Sequence, residues 1–190
     1  MRPRSILPAP RGTSARLQFE PIERAHADRL ADALLDPAVY RFVEGPHPTS
    51  ISELAEHFER LSKGPAADGV RWWNISVFAA ETHEGLGQLQ ATIIDDRAEI
   101  AYLFGSKHWG QGYAQEAMAW FQEKLAEDGA AETLWATVAP SNERSVRLLK
   151  RLGYTPVADG WPELGSYDEG DLVFRRPCPN SSSSTRPSDR

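Results

Sequence analysis

The sequence predicts a mixed α/β domain, a central sheet with helices on both faces. Two observations point there. Three strand-like runs follow one another as a meander, and strand, helix, strand, helix and strand then alternate, an order that implies a mixed sheet covered by helices. Midway along the chain, two glycines join the run Glu99-Ile100-Ala101-Tyr102-Leu103-Phe104 to the helical pattern Ala117-Met118-Phe121-Leu125. The 190 residues suit a single domain with a sizeable core.

The elements are justified in chain order. Residues 1–14 and 178–190 carry Pro, Ser, Arg and Gly with few core formers, and the second includes Asn180-Ser181-Ser182-Ser183-Ser184-Thr185. Both are expected to be disordered tails flanking a domain at 15–177. A strand is expected at 16–22, then an amphipathic helix at 24–35 in which Leu30, Leu34 and Leu35 recur at helical spacing. A short helical turn follows at 39–43. Thr49 or Ser50 can cap a second helix at 51–63, with Leu54, Phe58 and Leu61 on one face and Gly64-Pro65 ending it. Strands at 72–80, 87–94 and 98–104 are separated by turn-like residues at 82–85 and by Asp95-Asp96. A helix at 112–128 stops at Gly129, a short buried strand occupies 134–138, and a last helix spans 142–152. Gly153 stands where a helix C-terminal glycine belongs, and strands at 155–157 and 171–176 finish the domain.

Composition excludes several function classes. The net charge of −6 argues against sequence-independent nucleic-acid binding, which leaves a basic stripe, and it suits a cationic substrate. Trp72-Trp73 resembles a base-stacking platform, but strand alternation sends one ring into the core. Cys178 is the single cysteine and lies in the polar tail, so no disulfide framework, thiolate cluster or buried nucleophile is expected, in keeping with a reducing cytoplasm. His26, His47, His57, His83 and His108 are scattered without ligand spacing, so no metal site is expected. The N-terminal residues lack an apolar run, and nothing approaches the ~20 apolar residues of a membrane span. A soluble cytoplasmic protein, monomeric or homodimeric, is the expectation.

The loop Trp109-Gly110-Gln111-Gly112-Tyr113-Ala114 reads as a pyrophosphate cradle. Glycines let the backbone approach a ligand, and the helix that starts there directs unpaired N–H groups and its positive dipole end at an anion. A second element, Asn142-Glu143-Arg144-Ser145-Val146-Arg147-Leu148-Leu149-Lys150-Arg151-Leu152-Gly153-Tyr154, opens the last helix. Asn142, Ser145 and Leu149 lie three and four residues apart and share one face. Asn142 can equally act there as a helix cap.

Together the two segments resemble the acetyl-CoA-binding motifs of the GNAT superfamily of N-acetyltransferases. Gly112 and Ala114 fall on the last two fixed positions of that family's loop, and Trp109 stands where Gln or Arg is usual. Trp-Gly-x-Gly-Tyr-Ala is similar to the RimJ/RimL branch of ribosomal-protein N-terminal acetyltransferases, as are Asn-x-x-Ser and the later Lys-x-x-Gly-Tyr. The resemblance implies the GNAT fold, a mixed and mostly antiparallel sheet of about seven strands splayed at the cofactor site. It implies acetyl-CoA as cosubstrate, with the pyrophosphate on Trp109, Gly110, Gln111, Gly112, Tyr113 and Ala114. The pantetheine would lie along Leu103 and Phe104, and Asn142 and Ser145 would face it.

Direct transfer to an amine needs a base and a donor to the leaving thiolate. Glu99 is the expected base, acting through water, with Glu44 and Asp171 as further candidates for amine recognition. The tyrosine that many GNAT enzymes place seven residues after the asparagine is Leu149 here. Ser145 is therefore expected to support the sulfur, ahead of Tyr113 and of Tyr154, which should pack with its hydroxyl near the surface. Arg144, Arg147, Lys150 and Arg151 form a solvated face or contact the 3′-phosphate end of CoA. The expected acceptor is a protein N-terminus. Alternatives are a small amine or antibiotic, or a non-catalytic acyl-CoA sensor. A dinucleotide site is disfavoured, because the third glycine and the later acidic residue of such sites are missing.

Overall fold

The computed structural model describes residues 9–178, which build one eight-stranded sheet with helices against both faces. In chain order the elements are β1 (Gly12–Thr13), β2 (Leu17–Pro21), α1 (Ala27–Leu34), α2 (Ile51–Ser62), β3 (Val70–Ala79), β4 (Gly85–Ile94), β5 (Arg97–Phe104), α3 (Tyr113–Glu127), β6 (Thr133–Val138), α4 (Glu143–Arg151), β7 (Thr155–Val157) and β8 (Leu172–Pro177). The strands lie in the order β1-β2-β3-β4-β5-β6-β8-β7, and each pair is antiparallel except β5 with β6.

Period-two alternation divides the side chains between two cores. Leu17 and Phe19 of β2, Trp73, Ile75 and Val77 of β3, and Leu89, Ala91 and Ile93 of β4 face α3, whose Ala117, Met118, Phe121 and Leu125 recur at helical spacing. Trp73 is buried while Trp72 stays 37% exposed, as strand alternation requires. The opposite face carries α1 and α2 through Leu30, Leu34, Leu54 and Phe58, packed on Phe78. Ser50 caps α2 by accepting from Glu53 N at 3.2 Å, while Glu53 reaches back to Thr49 N at 2.8 Å.

The structure corrects the expected order in several places. The eighth strand is β1, within the segment assigned to an N-terminal tail, where Gly12 and Thr13 pair with Phe19 and Gln18. Cys178 was also expected in a tail, but it is buried in the α3 core, its N–H donates to Glu132 O at 2.9 Å, and burial pushes its thiol up. The remaining residues of both expected tails, 1–8 and 179–190, lie outside the described residues. The turn expected at 39–43 is a 3-10 helix at Pro37–Tyr40, because Asp36 accepts from Ala38 N at 2.9 Å and Pro37 pre-sets the first turn.

His26 links the α1 face to the sheet. Its Nδ1 accepts from Glu23 N at 3.3 Å and lies 2.9 Å from Ser76 Oγ, while its ring meets Phe78 edge-on. Burial holds its pKa below the ordinary histidine value, with Glu20 and Glu23 opposing the shift. The unfolded chain therefore binds this proton more readily. Stability should be full above about pH 6.5 and fall as the pH drops toward the folded value. Denaturant midpoints from pH 7.5 to 5 should decline less steeply in His26→Gln, by at most about 1.4 kcal/mol per pH unit. His57 and His108, lowered by burial in the same way, leave a residual slope in that variant.

Candidate active site

The site is built where β5 and β6 part. The parallel ladder pairs Arg97 with Thr133, Ala98 with Leu134 and Glu99 with Trp135, and beyond these the strands share no register pair among the described residues. Each strand is held along its other edge, β5 by β4 as far as Phe104 and β6 by β8 as far as Val138. Gly105 N donates to Leu86 O, so strand alternation turns the polar backbone groups of Tyr102 and Phe104 away from β4 and into the gap. Ala101 is exposed midway along β5, at this opening. Leu103 packs on the α1 and α2 core, whereas Phe104 belongs to the α3 core and turns its carbonyl to the gap, where Trp109 Nε1 donates to it at 2.8 Å.

The glycine loop closes the gap at the C-terminal end of β5. Gly110 and Gly112 have φ of +77° and +81°, conformations that a residue with a Cβ adopts only under strain. Gly112 is the N-cap of α3 without any side-chain cap, so the first-turn N–H groups, from Tyr113 and Ala114 onward, face outward. An anion could be held there. Arg16, the residue before β2, fixes the loop: it donates to Gln111 O at 3.0 Å, pairs with Glu116 at 2.7 Å, and lies over the Tyr113 ring at 4.6 Å. Gln111 Nε2 donates to Lys107 O at 2.8 Å. Arg144 of α4 covers the Trp109 ring at 3.7 Å and joins the second sequence element to the first.

At the start of α4, Asn142 is the N-cap, accepting from Ser145 N through its side-chain oxygen at 3.2 Å. The capping role is thus realised, and the amide nitrogen faces elsewhere. Leu149 is buried in the α3 core. Tyr154, expected to reach the surface, is buried instead; Gln122 Nε2 donates to its hydroxyl at 3.1 Å, and burial pushes its pKa up. Tyr113 stacks with Arg16 at the helix start. Tyr102 was not among the sequence candidates. Its hydroxyl oxygen is sealed from solvent without a partner of hydrogen-bond geometry, and burial pushes its pKa up to about 12. The neighbouring Ser145 side chain opposes that shift.

Glu99 projects to the α1 side, opposite Ile100 and Tyr102, and its carboxylate is engaged. It accepts from Gly165 N at 2.8 Å, from Ser166 N at 2.9 Å and from Ser166 Oγ. Ser166 also meets Thr137 Oγ1 of β6, at 2.9 Å through its carbonyl and 2.8 Å through its hydroxyl. Glu99, Ser166 and Thr137 thus bridge the strands close to where they separate. In this conformation the glutamate positions a loop, and the base role expected of it competes with these three bonds.

Past the end of β6 lies a cleft of about 310 Å³, lined by the 41–44 loop, Ala139-Pro140 and the 168–171 segment. Glu44, Asp168, Glu169 and Asp171 line it, with Arg41 the one cation among its lining residues. Burial raises the Asp171 pKa, opposed by the hydrogen bond from Asp168 N and assisted to a lesser extent by the Asp168 charge. Phe42 and Val43, 38% and 46% exposed, add apolar surface. Among the described residues no group of His, Cys, Asp and Glu is arranged to hold a metal ion, and no helix is long and apolar enough to cross a membrane.

Comparison with known proteins agrees with this geometry. Residues 16–155 match the acetyltransferase (GNAT) domain model. The chain is 29% identical over 146 residues to an uncharacterized N-acetyltransferase, p20, of Bacillus licheniformis, covering 73% of this chain and 79% of the relative. An acetyltransferase of the GNAT family from Bacillus anthracis superposes with a TM-score of 0.69 at 17% identity, over 88% of this chain and 98% of that one. A ribosomal-protein-S5-alanine acetyltransferase from Vibrio fischeri superposes with a TM-score of 0.68 at 13% identity, over 88% and 96%. At these identities the superpositions establish the fold alone.

The double duty of Asn142 can be separated by substitution. Asn142→Ala removes the cap and should cost about 1 kcal/mol of stability in urea denaturation, whereas Asn142→Ser, which can cap, should stay within a few tenths of wild type. A drop in acetyl transfer that persists in the well-folded serine variant assigns the amide a role in the site.

Proposed function

The chain belongs to the acetyltransferase (GNAT) domain family, and from that premise we propose that it transfers an acetyl group from acetyl-CoA to a primary amine by direct attack in a ternary complex. The observation that carries the reading is the gap between β5 and β6, which ends at a glycine loop and an uncapped helix N-terminus. These features fit the cofactor. An extended pantetheine can bond the open edges near Tyr102 and Phe104, and the pyrophosphate can take the N–H groups of Gly110 to Ala114. Arg144, held over Trp109, is placed for the phosphates or the adenine.

The acetyl thioester supplies the electrophile, and the chain binds and orients it while handling the amine's proton. The acidic cleft attracts an ammonium group, which must shed a proton before it attacks. Asp171, whose pKa burial raises, is the better placed acceptor of that proton, because Glu99 is held by Gly165 and Ser166. The proton then passes to bulk water.

The acceptor is proposed to be a protein N-terminus, as in the RimJ/RimL-like branch. The four cleft carboxylates, the apolar Phe42 and Val43, and the fold likeness to a ribosomal-protein acetyltransferase support it. The cleft volume also admits a small amine. A cytoplasmic location follows from such acceptors. Thiol release from acetyl-CoA, measured with N-terminal peptides and small amines side by side, tests the reading. Faster release with peptides supports the N-terminal acceptor, and faster release with small amines replaces it. CoA binding without thiol release on any amine identifies a sensor.

The loop assignment gives a sharper expectation. A side chain at Gly112, the N-cap of α3, is strained at φ +81°, and its Cβ would meet Arg16 Nη2 at 3.4 Å. Gly112→Val should weaken CoA binding at least tenfold, about 1.4 kcal/mol, in calorimetric titration of folded protein. Unchanged affinity removes the phosphate cradle.

A further inference from the structure

We propose that Tyr102, through the hydroxyl it holds beside Ser145 where β5 and β6 part, is the hydrogen-bond donor that meets the departing sulfur of the cofactor. The inference rests on the reading of the gap as the CoA site. Three observations on the chain lead to it. Tyr102 sits on the part of β5 that has left β6, so its backbone borders the gap. Its side chain shares a face with Ile100 and Phe104 and packs on the α3 core, the side from which α4 presents Ser145. Its hydroxyl oxygen is shut off from solvent and lacks a partner of hydrogen-bond geometry. A buried phenol without a well-formed hydrogen bond is unfavourable, and a donor that finds its acceptor in the complex recovers that loss.

The other candidates are accounted for. Leu149 has no polar atom and is buried in the core, Tyr154 is closed in with Gln122, and Tyr113 is engaged by Arg16 at the mouth of α3. Ser145, the donor read from the sequence, remains beside Tyr102 and becomes the residue that orients it.

The chemistry fixes what the phenol can do. The amine nitrogen forms its bond to the acetyl carbon, the C–S bond breaks, and its electron pair stays on sulfur. A free thiol ionises near pH 8.5 and the Tyr102 phenol near 12, so passing its proton to the thiolate is uphill. Tyr102 keeps its proton and donates a hydrogen bond to the sulfur. The thiolate takes its own proton from water after release, and the amine's proton leaves through the cleft.

The test compares CoA with desulfo-CoA, which lacks only the sulfur, by calorimetric titration at pH 7 and pH 9. Wild type should prefer CoA, and the preference should grow about tenfold at pH 9, where more of the bound sulfur is thiolate. Tyr102→Phe should bind desulfo-CoA as wild type does, lose most of the preference for CoA, and show kcat about tenfold lower with little change in KM for acetyl-CoA. Ser145→Ala, a second variant, should lose part of the same preference. A Tyr102→Phe protein that keeps both the sulfur preference and kcat overturns the inference and leaves the proposed function standing. Wild type that binds neither CoA nor desulfo-CoA overturns both.

Discussion

The structure depends on a sheet that stops being continuous in its interior. β5 and β6 pair over three residues and then diverge, although each remains hydrogen-bonded along its far edge. The sheet thus behaves as two stiff plates joined at a short seam, one carrying β1 to β5 and the other β6, β8 and β7. Divergence leaves backbone N–H and C=O groups without strand partners in the middle of the domain, where such groups are costly unless something bonds them. The chain satisfies one itself, through Trp109 Nε1 on the Phe104 carbonyl. The remaining open edge is a template for an extended, amide-bearing ligand, in the way that a sheet edge accepts a strand.

Keeping the seam short requires braces at both ends. On the α1 side, Glu99, Ser166 and Thr137 tie the two plates together through a loop distant in sequence, close to where the strands separate. At the other end, Glu116 lies in the first turn of α3, where a carboxylate favours the helix dipole but would also compete with an anionic ligand. Arg16 neutralises it, and Ser14 and the Arg16 N–H occupy its second oxygen at 2.7 and 2.8 Å. Residues 12–16 thus do more than extend the sheet: they hold the helix start while leaving its outermost N–H groups free to bond.

The parts of the molecule legible in the sequence are those decided locally. Ser50 and Glu53 announce the start of α2 within four residues, Gly110 and Gly112 announce positive φ, and the apolar periods of α3 and of the meander announce their buried faces. Asn142 was readable as a cap because Pro140 and Ser141 lead into it. What was not legible depends on contacts between distant segments. β1 is too short to carry a period and exists because Phe19 and Gln18 offer it an edge. Glu99 looked like a free carboxylate because its donors lie 66 and 67 residues away. Tyr154 looked amphipathic until Gln122 met it inside. Tyr102 could have been noticed, since alternation with Ile100 and Phe104 places it on the α3 face, but alternation cannot tell that its hydroxyl would lack a partner.

Charge placement completes the account. A chain of net charge −6 is a poor candidate for an anionic cofactor if the whole field is considered, yet screening confines most exposed charges to within about 8 Å at physiological salt. Local sign therefore decides. Around the α3 N-terminus the charges that face the loop are Arg16 and Arg144, with Glu116 already paired, and the helix dipole adds to them. Past the end of β6, four carboxylates and a single cation, Arg41, line the cleft. The two regions approach one another across the residues that lead from β6 into α4, because Ala139 and Pro140 line the cleft while Asn142, two positions on, caps the helix that carries Arg144. An anion and a cation can thus be drawn to neighbouring places by fields of opposite sign, each short-ranged enough not to cancel the other.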